Sequence, residues 1–422
     1  MQNKREKIFG WLLLIVGSVL YFFANLQKVV VPGAIFNELQ SKFGLSAAYI
    51  TWLGAGFMYV YSFSQLIVGI LVDRYSGVRV MLFGGTAFFA GSLLSACDTS
   101  FALLFIARVL TGLGASAIYL SMVKMVIRIS GSIFPIILGL MTLVGYFGSV
   151  IGGMPFVQSV EKFGYPVTMM AIGVMTMICY FLFCINAGIA GIPEVKREVK
   201  IDFRRFFQVY SRRQNIYILL DVGIGFGSFY AVQTIIGKKF LEDFSGMSSA
   251  GAGVVLSVAM IIAACNGFLT AWISKLCGNR RCGILRFCGF GSFAGVLILF
   301  CTVLFNIKLW YIAAGGWILM AFAGNCSAIS VALFRESNRD EDLGTATSGS
   351  NFFAYLVIAV LGGVSGTLME MVPPTVVDGI KIYGRFSYLP VFLLLLVLTA
   401  FAALASALLK ESYGKNISDT VK

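Results

Sequence analysis

Histidine is absent from the 422 residues. That removes histidine-based metal centres, general bases and protonation switches from consideration. Charge of any kind is scarce: Asp, Glu, Lys and Arg make up 12% of the chain, against about 25% in a soluble domain. Acidic residues are the scarcer sign, 19 against 32 Lys and Arg. No GxxxxGK[ST] stretch occurs, so this chain has no P-loop for ATP hydrolysis. The nine cysteines form no disulfide framework. Cys277 and Cys282 flank GNRR, but no second pair follows to complete a zinc site. Metal sites and cofactors are therefore not expected. No polar stretch is long enough to hold a soluble domain.

What fills the space is apolar. Hydrophobic residues make up 59% of the sequence, and uninterrupted runs recur along its length. Each run can cross a hydrocarbon core of ~30 Å as a helix. The ~10-residue alternation of a membrane β-barrel is missing. The pattern predicts an all-α membrane protein with twelve spans, near 9–36, 46–72, 79–97, 101–123, 134–157, 166–188, 215–241, 248–273, 283–305, 309–333, 344–370 and 387–409. The first run is too long for a signal peptide and lacks a small-x-small cleavage site, so it is read as the first span. Six spans at 1–188 and six at 215–422 flank a basic connector, 189–214, read as a linker with an amphipathic helix on the membrane surface.

The excess of Lys and Arg does not point to nucleic acid. On the twelve-span plan most of it falls on one side: Lys4, Arg5 and Lys7, Arg74 and Arg79, the linker, Arg280 and Arg281, and the tail. The positive-inside rule makes that side cytoplasmic. Both termini then lie in the cytoplasm of a multi-pass cytoplasmic-membrane protein.

Residues 69–82 read GILVDRYSGVRVML. This resembles the signature loop of the major facilitator superfamily, with Ser76 as one extra residue. RVLTGLGAS at 108–116 resembles the superfamily's fourth-helix motif, and GYFGSVIGGMP at 145–155 its glycine-rich fifth helix. The resemblance implies two pseudo-symmetric six-helix halves rocking around a central site. It also implies gate roles. Gly69 would let the second span approach a neighbour, Asp73 would face a helix N-terminus, and Arg74 and Arg79 would pair with carboxylates across the gate. The matching loop of the second half, GFLTAWISKLCGNRR, carries Lys275 where the carboxylate would fall. The charge lock is thus expected in the first half only.

Charges inside spans are costly unless they face a partner or a wet cavity. Four candidates stand out: Lys28, Arg108, Asp221 and Glu370. Glu370 falls at a span end and is read as reaching water. Lys28 and Arg108 lie at one depth, about 10–12 Å below the outer surface at ~1.5 Å per residue. The resemblance places both spans at the central cavity. Together, with Asn25 beside them, they would bind a carboxylate. Two other readings stay open: Lys28 could snorkel outward, and Arg108 could bond backbone carbonyls of its own half. Asp221 is read as a cytoplasmic-gate or proton-coupling carboxylate; the reading in which it reaches the cytoplasmic headgroups or pairs with a loop Arg stays open. Tyr230, Gln233, Trp317 and Asn325 are polar or aromatic groups in apolar segments that could hold the rest of a substrate.

LYFFANLQKVVVPGAI is similar to the first helix of a branch that contains bacterial intraphagosomal amino-acid transporters. The chain is thus expected to be a monomeric, non-enzymatic transporter in the lipid bilayer. Its expected cargo is a small carboxylate-bearing solute, an amino acid or short peptide, moved by alternating access with proton coupling. Organic-anion or sugar-acid transport and drug or metabolite efflux are the alternatives.

Overall fold

The computed structural model describes residues 4–97, 99–130, 134–190, 203–339, 342–377 and 380–417. Among the described residues, eleven helices are long and apolar enough to cross a membrane, and one bent pair makes a twelfth. In order, spans 1–4 are Ile8–Ala34, Ala47–Val72, Gly77–Leu94 and Phe101–Ser130. Span 5 is Ile137–Ile151 plus Met154–Phe163, bent by 43°, and span 6 is Tyr165–Ala190. Spans 7–12 are Arg213–Ser245, Ser249–Leu276, Arg281–Leu304, Trp310–Ser337, Leu343–Met369 and Arg385–Ala407. The expected all-α membrane fold is what the chain adopts.

Helices dominate because a helix satisfies its own backbone N–H and C=O groups in lipid, where no water can. Small residues set how closely they pack. On span 5, a side chain at Gly148 would collide with the Phe22 carbonyl of span 1. Gly295 of span 9 and Gly316 of span 10 face each other so closely that a Cβ on either would stand 2.7 or 2.9 Å from the other's carbonyl oxygen. Packing of this kind substitutes for the hydrophobic drive that lipid does not supply.

Two compact units are present: Met1–Val31 with Gly56–Ile201, and Pro32–Ala55 with Asp202–Lys422. The segment 32–55, placed by sequence in the first bundle, is counted with the second unit, as are the last residues of the linker. The first seam is visible in the backbone. Val31 leaves helical geometry (φ −119°, ψ 121°) inside span 1, as expected for a residue preceding proline.

The linker's described part contains a short helix, Phe203–Tyr210. It is anchored on the second unit, where the Tyr210 hydroxyl donates to the Ala346 carbonyl at 2.5 Å and Arg212 pairs with Asp342 at 3.5 Å. Sequence reading did not anticipate two elements. One is a helix at Phe36–Phe43 between spans 1 and 2. The other is an antiparallel hairpin, Thr375–Val377 with Ile380–Ile382, between spans 11 and 12.

Candidate functional site

Lys28 and Arg108 are both buried, at 6% and 0% exposure. Lys28 Nζ donates to Asn25 Oδ1 at 3.0 Å, one turn back on the same helix. Asn25 is itself fixed, its Nδ2 donating to the Tyr21 carbonyl at 3.0 Å. Ser149 of span 5 donates to the Asn25 carbonyl at 3.3 Å, a contact allowed by the glycine face of span 5. Arg108 Nη1 donates to the Gln27 carbonyl at 2.7 Å, and its guanidinium stacks 4.4 Å from the Phe57 ring centre. Gly112, one turn further along span 4, lies against the Phe57 backbone: a Cβ there would be 2.7 Å from the Phe57 carbonyl oxygen. The fourth-helix glycine thus brings span 2 close enough for the ring to meet Arg108.

Both cations therefore engage residues 25–28, a single turn of span 1. Lys28 turns back to Asn25 of its own helix, and Arg108 bonds a backbone carbonyl of its own half. Gln27, which sequence reading passed over, is fully buried, and neither polar atom of its amide is hydrogen-bonded. An uncharged amide next to a lysine gives little signal in a scan for formal charge. Its position inside an apolar span was the available clue.

In the second unit each of the four polar candidates has a partner of its own. Gln233 Nε2 donates to the Leu256 carbonyl of span 8 at 3.0 Å. The Trp317 ring packs where a side chain at Gly237 would otherwise sit. Tyr230 is buried against Phe226 and Phe229, with ring centres 4.3 and 5.1 Å away. Asn325 sits at a break in span 10 (φ −109°, ψ 80°). It donates to the Ala263 carbonyl at 2.8 Å and accepts from Asn266 through its own carbonyl at 3.1 Å. That exchange pins the break to span 8.

Asp221 is 4% exposed and turns into the second unit, where a Cβ on Gly289 of span 9 would stand 2.6 Å from its Oδ1.

The signature loop departs from expectation at Gly69. A Cβ there would meet nothing within 4 Å, whereas one on Gly77 would stand 2.6 Å from the Ser121 carbonyl oxygen. The close-approach glycine is therefore Gly77, because it opens span 3 against the backbone of span 4. The extra residue, Ser76, has φ +96° and caps span 3, its hydroxyl accepting the Arg79 N–H at 3.5 Å. Arg74 is exposed and lies over the Tyr75 ring at 5.3 Å. Arg79 is half-buried. The Asp73 side chain lies outside the described residues.

The matching loop of the second half carries a charge cluster within its own unit. Arg281 pairs with Glu336 at 3.2 Å. Glu411 accepts the N–H groups of Arg281, Cys282 and Gly283 at 2.7–3.2 Å. The carboxylates come from span 10 and the tail rather than from the loop. Glu411 takes the position a helix N-terminus favours.

A larger ionic cluster was missed altogether. Lys238 and Lys239 of span 7 are almost fully buried and pair at i,i+4 with Glu242 and Asp243, at 2.7 and 2.8 Å. Asn37 joins them: its Oδ1 accepts from Lys239 at 2.5 Å, and its Nδ2 donates to Glu242 at 2.8 Å. Lys239 also donates to the Lys381 carbonyl of the hairpin at 2.6 Å. Asp243 accepts from the Tyr383 N–H and the Tyr388 hydroxyl, at 2.9 and 3.0 Å. Gln40 and the Ala47 N–H donate to the Tyr383 hydroxyl at 3.2 and 3.1 Å. Burial pushes the Tyr383 phenol above its ordinary value. Glu370, expected to reach water, is half-buried and accepts the Ala48 N–H at 3.3 Å. The i,i+4 spacing of KK and ED was the readable signal.

Comparison with known proteins follows the same lines. The family model of the Major Facilitator Superfamily matches residues 13–360. An MFS-type transporter, ppz2, from Metarhizium majus is 26% identical over 116 residues, 28% of this chain and 20% of that protein. A probable chloroplastic anion transporter from Arabidopsis thaliana is 31% identical over 83 residues, 20% of this chain and 16% of that protein. The chain thus matches a fifth or less of either relative's length. Among solved structures, an inward-facing bacterial homolog of the human lysosomal transporter Spinster aligns over 96% of this chain and 98% of its own. Its TM-score is 0.69 and its identity 14%. A POT family transporter in complex with 5-aminolevulinic acid aligns over 94% and 96%, with a TM-score of 0.73 and 9% identity. At such identities the likeness concerns the fold.

Proposed function

The chain belongs to the Major Facilitator Superfamily and is a membrane transporter, not an enzyme; from that premise we propose that it carries a small carboxylate-bearing solute, an amino acid or short peptide. The observation that supports this is the anchoring of two buried cations on one turn of span 1. Residues 8–34, 47–72, 101–130 and 137–151 contain no Asp or Glu, so these spans offer positive charge and no acid of their own. In this reading Lys28 Nζ takes the carboxylate, Asn25 positions the lysine, the Gln27 amide adds hydrogen bonds, and Arg108 holds the turn in place. A charge-assisted bond to the carboxylate is worth about 1.5–3 kcal/mol.

Movement would follow alternating access, with the two halves exchanging gates around the site. The protein would act as a monomer in the cytoplasmic membrane with both termini inside, as its basic loops suggest. Asp221 would carry the coupling charge. Arg74, Arg79 and Asp73 would serve the cytoplasmic gate, and the Asn37–Lys239–Asp243 cluster the opposite one. Tyr230, Gln233, Trp317 and Asn325 would shape the second half through packing. The likeness of one stretch to a protein described as an anion transporter favours organic anions as the second reading.

Uptake by proteoliposomes tests the proposal. Labelled amino acids and dipeptides should accumulate with the wild-type chain, and Lys28→Ala should lower uptake at least tenfold. Equal uptake by both would sink the carboxylate reading. Loss of accumulation on collapsing the pH gradient is expected if protons drive it; unchanged accumulation would remove the coupling role of protons.

A further inference from the structure

Spans 7, 9, 10 and 12 enclose a small cavity inside the second unit. Its volume is about 10 Å³, close to the space one water needs. Asp221 and Gly225 of span 7, Gly289 and Ser292 of span 9, and Gly324 and Cys326 of span 10 line it. Three features make it more than a packing defect.

The first is charge. The Asp221 carboxylate is buried among helices, and among the described residues no Lys or Arg lies within ion-pair distance of it. A carboxylate in such a place is costly unless a cation or a proton neutralises it. The second is an unused ligand. Ser292 is 1% exposed, and its hydroxyl has no hydrogen-bond partner. The third is the broken helix. Span 10 leaves helical geometry at Asn325 and Cys326 (φ −109° at both). The C-terminal end of Trp310–Gly324, with its negative dipole, therefore finishes at the cavity. Discontinuous helices in transporters bring such ends to coupling ions. Glycine at 289 preserves the space, since a side chain there would meet both Asp221 and the Ser406 hydroxyl.

We propose that this cavity binds one small monovalent cation, the chemistry shared by sodium and by a proton carried on water, with Asp221 as the counter-charge, Ser292 as a neutral oxygen ligand and the broken end of span 10 as the third side. This deepens the coupling role given to Asp221 and rests on that role, but not on Lys28 or on the cargo. Occupancy would bias the bend of span 10, which the Asn266–Asn325 exchange holds against span 8.

Few other groups compete for the charge. Span 9 presents Cys282, Arg286 and Cys288, and span 10 presents Cys326. Arg286 is engaged with the carbonyls of Ser406 and Leu409, at 3.3 and 2.6 Å. Span 12 offers only Ser406 near this level, and between Asp342 and Glu370 span 11 has Tyr355 as its one titratable side chain.

The test is the melting temperature of the full chain in detergent, without substrate. One arm compares sodium chloride with choline chloride at equal ionic strength and fixed pH. The other varies pH in choline chloride alone. A sodium site predicts a rise of about 2 °C or more in sodium. A proton site predicts a melting temperature that falls as pH rises, because the stabilising proton is lost. Either response should vanish in Asp221→Asn and in Gly289→Ala, whose added methyl fills the cavity. Ser292→Ala should weaken the sodium response. If wild type shows neither response, or Asp221→Asn or Ser292→Ala retains it in full, the proposal is wrong. A lost cation response beside an intact Lys28-dependent substrate shift would sink this site and leave the carboxylate reading standing.

Discussion

Lys28 and Arg108 are alike in charge and burial but differ in what surrounds them. Arg108 is held from two sides, by the Gln27 carbonyl and the Phe57 ring. Lysine cannot reproduce the planar stack or the fork of donors. Arg108→Lys should therefore destabilise the protein by roughly 2 kcal/mol, from a weakened charge-assisted bond and a lost cation–π contact. This would be read as a lower melting temperature with or without substrate. Lys28 donates to Asn25 on its own helix, and Lys28→Ala should remove the response to ligand. Both residues were legible in the sequence because a formal charge inside an apolar run is hard to overlook. Gln27 was not, because an amide carries no such mark. Lys238 and Lys239 were overlooked because their acidic partners, Glu242 and Asp243, make the end of span 7 look like a polar terminus.

At the scale of elements, spans begin and bend where local chemistry says they should, once that chemistry is identified. Gly148 lies so close to the Phe22 carbonyl that Gly148→Ala should force spans 1 and 5 apart, at a cost of about 1–3 kcal/mol. Gly69→Ala should cost almost nothing by the same measure, since open space surrounds it. Thermal melting of the two variants side by side checks the contrast, and equal losses would contradict the packing described. The proline-linked break at Val31 could be read from the sequence. The break at Asn325 could not, because Asn in an apolar span looks like a binding group until its bonds to span 8 are seen. The hairpin between spans 11 and 12 had a signal in TVVDGIKI, an Asp-Gly step between β-branched residues. A search for long helices passes over so short an element.

For the molecule as a whole, twelve apolar runs and the signature loop were enough to give the fold, since length and hydropathy dictate membrane helices. The allegiance of residues 32–55 was not available from hydropathy. It is set by bonds across large sequence separations: Asn37 to Lys239 and Glu242, Gln40 to Tyr383, and Ala48 to Glu370. The short helix that carries Asn37 is continuous in chain with spans 1 and 2. Asn37→Ala removes two of them and leaves Lys239 paired with Asp243. Amide hydrogen exchange should then quicken over 36–45 and stay unchanged over 101–130. No change at 36–45 would mean that the hairpin and Tyr383 hold the segment unaided. The buried cations of the candidate site, Lys28 on span 1 and Arg108 on span 4, were legible as charges in apolar runs. The cavity around Asp221 was not, since it depends on which way one side chain turns.

The most direct measurement is a thermal-shift screen of the purified protein against amino acids, dipeptides, sugar acids, phosphates and neutral sugars, in wild type and in Lys28→Ala. Binding to the folded state raises the melting temperature. A shift with amino acids or dipeptides that disappears when Lys28 is removed is the expected result. A shift with neutral or cationic compounds that Lys28→Ala leaves untouched would contradict it.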